Sequence, residues 1–182
     1  MKEQHENRRV RMTKRLMKNA LLELLEKQEL ANISVTAICE TADVHRSTFY
    51  KYYTDPSALL KEIEQDFLDQ IPNPENMDLS NQEKLLSETA AFFDFVKNND
   101  KAFRILFNNK AGDSFATRLV DFLCSGYIPV IGKNDDLSSH YIRRYIAHGT
   151  VGLMREWVLT GYPVSSREIA EKMYYLSKKI SA

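Results

Sequence analysis

The stretch that most constrains this 182-residue chain runs from Ser34 to Tyr53 and predicts two short helices joined by a tight turn. Its first apolar residues have the i, i+3, i+4 spacing of a helix with one buried face: Val35, Ile38 and Cys39. Ser34 precedes them, where its hydroxyl can accept from free amides of the first turn. The first helix is therefore predicted from Val35 to about Thr41. The Ala-Asp-Val break at 42–44 is too short for a loop.

The second helix is predicted to begin at His45 or Arg46, with Phe49 and Tyr52 facing inward. Its outer side then carries five residues that donate hydrogen bonds or carry charge: Arg46, Ser47, Thr48, Tyr50 and Lys51. A core-facing helix of this size rarely exposes so many such groups. A helix that enters the major groove of DNA needs them.

This stretch resembles the helix-turn-helix of TetR-family transcriptional regulators. The matching positions are Ser34, Val35, Ile38, Ala42, Val44, Thr48, Tyr50, Tyr52 and Tyr53. The chain departs from the pattern at four positions. Asp43 replaces a glycine, and Asp tolerates the left-handed conformation better than most residues. His45 replaces a serine cap, Ser47 replaces a second glycine, and Pro56 replaces a lysine that commonly meets a phosphate.

The resemblance implies a set of side chains that contact DNA or lie beside it: Arg8, Arg9, Ser34, Thr36, His45, Arg46, Ser47, Thr48, Tyr50, Lys51 and Tyr52. Arg46 is the candidate for a bidentate contact to guanine. His45 either contacts a phosphate or caps its helix. Arg8 and Arg9 belong to a basic N-terminal segment that either meets phosphates or the minor groove, or is a solvated tail.

The formal net charge is zero, which excludes a uniformly basic nucleic-acid binder. The charge is nevertheless polarised, because basic residues crowd the first 18 positions and acidic residues dominate 55–88. This asymmetry indicates a positive end that meets an anion and a remainder that does not. The two cysteines, Cys39 and Cys124, have apolar neighbours and are interpreted as reduced core residues.

No apolar run approaches the roughly 20 residues of a membrane span, and the polar N-terminus lacks a signal segment. We therefore expect a cytoplasmic protein without a membrane segment. The motifs of metal, phosphate or nucleophilic catalysis are also missing, so we expect no enzyme, cofactor or metal. His140 and His148, eight residues apart, are too distant to share a metal without further ligands.

Glycine and proline are scarce and fall between periodic segments, which predicts an all-α fold. Besides the pair above, helices are predicted at Arg8–Gln28, Ser57–Gln70, Glu83–Lys97, Lys101–Asn108, Asp113–Tyr127 and Leu137–Thr160, and after a capping box at Ser165 and Glu168. In the first helix, Leu16 or Met17 begins the buried stripe. The polar segment 71–82 is predicted to be a loop. By the resemblance, residues 1–54 form a helix-turn-helix DNA-binding domain and residues 55–182 a helical ligand-sensing and dimerisation domain.

The C-terminal pattern Gly149-x2-Gly152-x4-Trp157-x3-Gly161 resembles the regulatory domain of a TetR subgroup that includes dihydroxyacetone kinase operon regulators. The resemblance implies a dimer interface at Tyr145, Gly149, Gly152, Leu153, Met173 and Leu176. It also implies a ligand pocket lined by Phe93, Phe103, Phe107, Phe115, Tyr127, Tyr141, Tyr145 and Trp157. The alternative for each aromatic residue is ordinary core packing.

Together these features predict a sequence-specific transcriptional regulator, of the repressor type, that binds a palindromic operator in double-stranded DNA as a homodimer. We also expect that a small apolar or aromatic ligand releases the protein from the operator. The alternative is a helical protein-interaction or sensing module with little DNA binding, which the neutral net charge and Pro56 favour.

Overall fold

The computed structural model describes residues 2–71, 81–108, 114–126 and 137–181. Within those ranges the fold consists of nine α-helices and one 3-10 helix, with no strand, which confirms the all-α prediction. Buried side chains from the first four helices and from the last five form one hydrophobic cluster. Among the described helices, none is both long enough and apolar enough to span a bilayer.

The first part of the chain folds into α1 (Lys2–Lys27), a 3-10 helix (Leu30–Asn32), α2 (Val35–Ala42), α3 (Arg46–Tyr50) and α4 (Pro56–Leu68). Helix α1 packs against both α2 and α4. The carboxylate of Asp55 accepts from the Ala58 amide at 2.9 Å, and Pro56 occupies the first turn of α4, where its missing N–H is not needed. Helix α4 then leads away from the helix-turn-helix.

The structure corrects the predicted start of α1 and decides which residue begins its buried stripe. The helix begins at Lys2 rather than Arg8, because residues 2–7 contain no glycine or proline and are mostly good helix formers. Of the two candidates for the start of the buried stripe, Met17 is fully buried, whereas Leu16 is 37% exposed. The core-facing side of α1 therefore continues through Leu21 and Leu25, both fully buried.

The second part folds into α5 (Gln82–Asn98), α6 (Asp100–Phe107), α7 (Ser114–Gly126), α8 (Leu137–Leu159) and α9 (Ser166–Ser181). Helix α9 packs on α5 and α8, and α7 packs on α8. Several of these helices also contact the first part of the chain: α6 contacts α1, α7 contacts α4, and Phe95 of α5 lies against Phe67 of α4. Most of the predicted loop at 71–82 lies outside the described residues, although Asn81 caps α5 through the Lys84 amide at 3.0 Å.

The junction of α8 and α9 is fixed by the residues that the sequence indicated. Gly161 has a φ of +82° and ends α8, with the Tyr162 N–H donating to the Trp157 carbonyl at 2.9 Å and the Gly161 N–H to Val158 at 3.2 Å. This pair of bonds is a Schellman motif. The predicted capping box is confirmed, since the Ser165 N–H donates to Glu168 at 2.8 Å and the Glu168 N–H to the Ser165 hydroxyl at 3.2 Å.

Candidate nucleic-acid interface

The turn between α2 and α3 is also a Schellman motif. Asp43 adopts the left-handed conformation, with φ 52° and ψ 50°, as the sequence allowed. The Val44 N–H donates to the Cys39 carbonyl at 3.0 Å, and the Asp43 N–H to the Glu40 carbonyl at 3.4 Å. These bonds satisfy the last carbonyls of α2 and set the direction in which the chain enters α3.

Helix α3 is anchored by aromatic side chains on its inner face. Phe49 is fully buried, and its ring lies 5.6 Å from the ring of Tyr53. Tyr52, predicted to face inward, is half-buried and packs against the core, whereas its neighbour Tyr53 is buried. The helix ends at Tyr50, and two turn bonds from the amides of Tyr52 and Tyr53 to the Phe49 carbonyl, both 2.9 Å, bring Tyr53 inward.

The outer face of α3 carries the polar residues that the sequence placed there. Arg46, Ser47, Tyr50 and Lys51 are exposed, and Thr48 is half-buried. His45 occupies the N-cap position of α3, but its side chain makes no capping hydrogen bond. Ser34 does cap α2, accepting from the Ala37 amide at 3.1 Å. The predicted cap is therefore confirmed at α2.

A surface depression of about 320 Å³ separates α2 from α3 and brings several predicted residues together. It is lined by Thr36, Cys39, Glu40, Asp43, Val44, His45 and Arg46. Burial raises the pKa of the Cys39 thiol, so this group stays protonated. Cys39 and Cys124 are both free.

Helix α1 carries the predicted cations Arg8 and Arg9, together with Lys14, which the sequence reasoning did not single out as a site residue. Arg8 and Arg9 are exposed on α1, and Lys14 lies one to two turns further along. The Lys14 ammonium is 3.0 Å from Glu62 of α4, and Lys18 is 2.7 Å from Glu62 and 2.5 Å from Asp66. The basic start of the chain is thus partly neutralised by the acidic segment, contrary to the expected separation of charge.

These ion pairs shift the pKa values of side chains in both α1 and α4. Partial burial opposes the charged form of Glu62, but hydrogen bonds from Lys18 and Lys14 outweigh it and lower the pKa of this carboxyl. Burial likewise acts against the Lys18 ammonium, whereas its bonds to Asp66 and Glu62 raise its pKa. The i, i+4 spacing of Lys14 and Lys18 is matched by that of Glu62 and Asp66, but spacing within each helix does not indicate that the two helices meet.

Five of the predicted pocket aromatics form a packed cluster. Phe93, Phe103, Phe107, Phe115 and Trp157 are each no more than 2% exposed. Ring centroids of Phe93 and Trp157 are 5.3 Å apart, and those of Phe107 and Phe115 are 5.4 Å apart. Phe67 of α4 joins the cluster through Phe103, with centroids 4.8 Å apart. The aromatic core is therefore in direct contact with the helix that follows the helix-turn-helix.

Two further pocket candidates, Tyr141 and Tyr145, do not join this cluster. Tyr141 and Tyr145 are 65% and 67% exposed, so their prediction as lining of a pocket inside one subunit is corrected. The reason is helical geometry, because Ile142 and Ile146 take the inward side of α8 and rotate the preceding tyrosines outward. Tyr127 lies outside the described residues.

The predicted interface residues lie mostly on one outer face of α8 and α9. Tyr145, Gly149, Gly152, Leu153 and Leu176 are exposed. Met173 is the exception at 6% exposure, because it shares the inward side of α9 with Ile169 and Ala170. A groove of about 630 Å³ runs along this face, lined by Leu153, Glu168, Ile169, Glu171, Lys172, Tyr175 and Leu176.

In the described part of the chain, the side chains that can bind metal ions are not grouped into a site. No group of three or more His, Cys, Asp or Glu side chains there is arranged to hold an ion. His140 and His148 are both exposed on α8.

Comparison with known proteins agrees with this architecture. Residues 83–179 match a TetR C-terminal family described as "Transcriptional regulator C-terminal region". The chain belongs to the TetR family of transcriptional regulators. No curated protein matches the sequence.

Solved structures show the same fold. A dihydroxyacetone kinase operon activator, DhaS, is 23% identical, with 92% of this chain and 94% of that chain covered and a TM-score of 0.62. A TetR transcriptional regulator from Streptococcus agalactiae 2603V is 17% identical over 96% and 98% of the two chains, with a TM-score of 0.71. A TetR-family regulator from Syntrophomonas wolfei is 20% identical over 93% and 94%, with a TM-score of 0.66.

Family membership confirms the predicted class, a non-enzymatic transcription regulator. Regulators of this family bind DNA as dimers.

Proposed function

We propose that the chain is a dimeric repressor that reads a palindromic operator with α3 and is released by a small ligand. Residues 1–54 would be the DNA-binding unit and residues 55–182 the sensing and dimerisation unit. The observation that carries the proposal is the two-sided character of α3. Phe49 fixes its inner face in the core, while Arg46, Ser47 and Lys51 are exposed on its outer face.

Each DNA-facing residue has a role that its position supports. Arg46, in the first turn of α3, is the residue for a bidentate contact to guanine, which specifies sequence. Thr48, Tyr50 and Tyr52 supply hydroxyl donors for phosphates, as Thr36 does from the first turn of α2. Ser47, Lys51 and His45 lie beside them. Phosphate contacts of this kind position the protein without carrying sequence information.

The outer face of α8 and α9 is proposed to be covered by a second copy of the chain. It combines exposed apolar side chains with two glycines, at 149 and 152, around which there is open space in the monomer. An exposed apolar patch of this kind indicates an interaction site. Two copies related by a two-fold axis would place two α3 helices in successive major grooves, roughly 34 Å apart.

The effector in this proposal is an apolar or aromatic small molecule that separates the packed rings of the aromatic core. Phe103 would transmit the change, because its ring is 4.8 Å from that of Phe67 in α4. Trp157 is the only tryptophan in the chain, and its indole N–H donates to the Val164 carbonyl at 2.9 Å. Its fluorescence therefore reports directly on any ligand that enters this region.

The test is binding of the purified protein to duplex DNA from upstream of its own coding sequence, measured by fluorescence anisotropy at two salt concentrations. A salt-sensitive, sequence-selective complex is expected, and Arg46→Ala should remove the selectivity while Tyr52→Phe weakens all duplexes alike. Absence of binding at either salt concentration would contradict the proposal and favour a protein-interaction or sensing module.

A further inference from the structure

The half-buried ring of Tyr52 lies between two lysine ammonium groups. The Lys14 nitrogen, from α1, is 5.6 Å from the centroid of this ring and 5.5 Å from that of Tyr53. The Lys51 nitrogen, from the end of α3, is 5.7 Å from the Tyr52 centroid. Two positive charges from separate elements thus converge on one tyrosine at the edge of the proposed DNA surface.

Two positive charges beside one ring attract an anion to this part of the surface. In the structure, Lys14 contacts both oxygens of Glu62, at 3.0 and 3.3 Å. Lys51 is exposed, and Pro56, at the start of α4, adds no charge to this region. A phosphate of the DNA backbone beside the Tyr52 ring would lie close to both ammonium groups, which are 5.6 and 5.7 Å from the ring centroid.

Glu62 can release Lys14 without becoming unpaired. Lys18 holds the same carboxylate at 2.7 Å and is itself bonded to Asp66 at 2.5 Å. The Lys14–Glu62 pair is also partly solvent-exposed on both sides, and ion pairs of that kind contribute little net stability. A DNA phosphate can therefore replace Glu62 as the partner of Lys14 with little loss of folding stability.

We propose that Lys14 is a DNA-phosphate ligand that exchanges Glu62 for the backbone when the duplex binds, so that DNA binding loosens one of the ties between α1 and α4. This inference rests on the proposed function above. It adds a residue that the helix-turn-helix itself does not supply, and it connects the occupied DNA surface to the helix that contacts the aromatic core.

The experiment compares the salt dependence of duplex binding in four forms of the full-length protein: wild type, Lys14→Ala, Glu62→Gln and the double variant. Lys14→Ala should weaken operator and random duplexes by the same factor and lower the slope of log K against log salt by about 0.9, the contribution of one phosphate. Glu62→Gln should tighten binding, because it removes the competitor for Lys14. In the double variant that gain should vanish.

Lys27→Ala is the matched control, because Lys27 forms an exposed i, i+4 pair with Glu23 near the end of α1. Its salt slope should equal that of the wild type. Lys14→Arg keeps the charge and should keep the slope, which separates loss of the contact from damage to the fold.

Two outcomes would overturn the inference: a slope for Lys14→Ala equal to that of Lys27→Ala, or a gain from Glu62→Gln that survives without Lys14. In either case Arg46→Ala still tests the proposed function separately. If Arg46→Ala loses selectivity while Lys14→Ala behaves like the control, the chain is a DNA-binding regulator and Lys14 stays on Glu62 in the complex.

Discussion

The carboxylate of Glu64, whose side chain has no solvent-exposed surface, accepts a hydrogen bond of 2.6 Å from the guanidinium of Arg118. Arg118 lies in α7, and it also donates to the Lys61 carbonyl at 3.1 Å and to the Gln65 side chain at 2.7 Å. One arginine of the second part of the chain thus contacts three residues of α4. Together with the Phe67–Phe103 contact, it connects the core of α5–α9 to the helix that follows the helix-turn-helix.

Arg118→Ala should lower the free energy of unfolding by about 3 kcal/mol, because it deprives a buried carboxylate of a charged partner. Glu64→Gln should lower it less, since a neutral amide oxygen still accepts from Arg118 and leaves no buried charge. Urea unfolding of both variants measures the difference. Equal losses for the two variants would show that the buried charge is not the source of the effect.

Ser34 permits a separation of stability from DNA binding. Ser34→Ala should lower the free energy of unfolding by about 1 kcal/mol, the usual effect of losing a helix cap. Ser34→Asp keeps a capping oxygen and should unfold like the wild type, but its negative charge should weaken duplex binding. Thermal unfolding and anisotropy on the same two variants check this. Undiminished binding by Ser34→Asp would place Ser34 away from the DNA.

Because Asp43 is left-handed and Glu40 is helical, glycine at these two positions should change the free energy of unfolding in opposite directions. Asp43→Gly should raise the free energy of unfolding by up to about 1 kcal/mol, because glycine adopts this conformation without the steric conflict of a Cβ. Glu40→Gly, within α2, should lower it by about 1 kcal/mol through loss of helix propensity. Denaturant titration of both variants gives the comparison, and a loss of stability in Asp43→Gly would contradict the expectation.

Gly152→Leu tests the proposed subunit contact. Gly152 is exposed and nothing lies within 4 Å of a Cβ built on it, so a side chain there begins in open space in the monomer, and the helix propensity improves by roughly 1 kcal/mol. A close approach of two α8 helices would be blocked, and the dimer dissociation constant should rise at least about tenfold. Sedimentation equilibrium measures this, with Ala91→Leu, at an exposed position of α5, as the control. An unchanged dimer would place the interface elsewhere.

The Glu62 cluster predicts a specific acid sensitivity. Because hydrogen bonds from Lys18 and Lys14 hold the pKa of Glu62 below its ordinary value of 4.5, despite opposition from burial, its ionised form favours the folded state. That contribution is fully present above pH 4.5 and is lost as the pH falls through the lowered pKa. The difference in unfolding free energy between wild type and Glu62→Gln, followed from about pH 7 to about pH 3, should shrink over this window. A constant difference would contradict it.

The elements with strong local signals were predictable from the sequence. Ser34 and Asp43 bound α2, and Gly161 with the capping box fixes the α8–α9 junction, because each acts on its immediate neighbours. The inward place of Tyr53 was not predictable, since the helical period stops at Tyr50. The Lys14–Glu62 contact joins residues 48 apart, and only the packing of α1 on α4 determines it.

The exposure of Tyr141 and Tyr145 could not be predicted from the sequence for a related reason. A helix with apolar residues on several faces predicts that each face is covered, but not whether the cover comes from the same chain. Similarly, Met173 and Leu176 are three residues apart on α9, yet one is buried and the other exposed. Assigning them required the position of α5, against which α9 packs.

Helix α3 consists of only five residues, too few to be stable in isolation, and Phe49 and Tyr53 hold it in place from one side. Arg46, Ser47 and Lys51, on the opposite side, are exposed. Mutation can therefore alter Arg46, Ser47 or Lys51 with little penalty in folding. With α3 as the proposed reading helix, such a chain can diverge over evolutionary time in the operators it reads while its scaffold stays the same, and paralogues with new targets can arise through a few substitutions on a single helical turn.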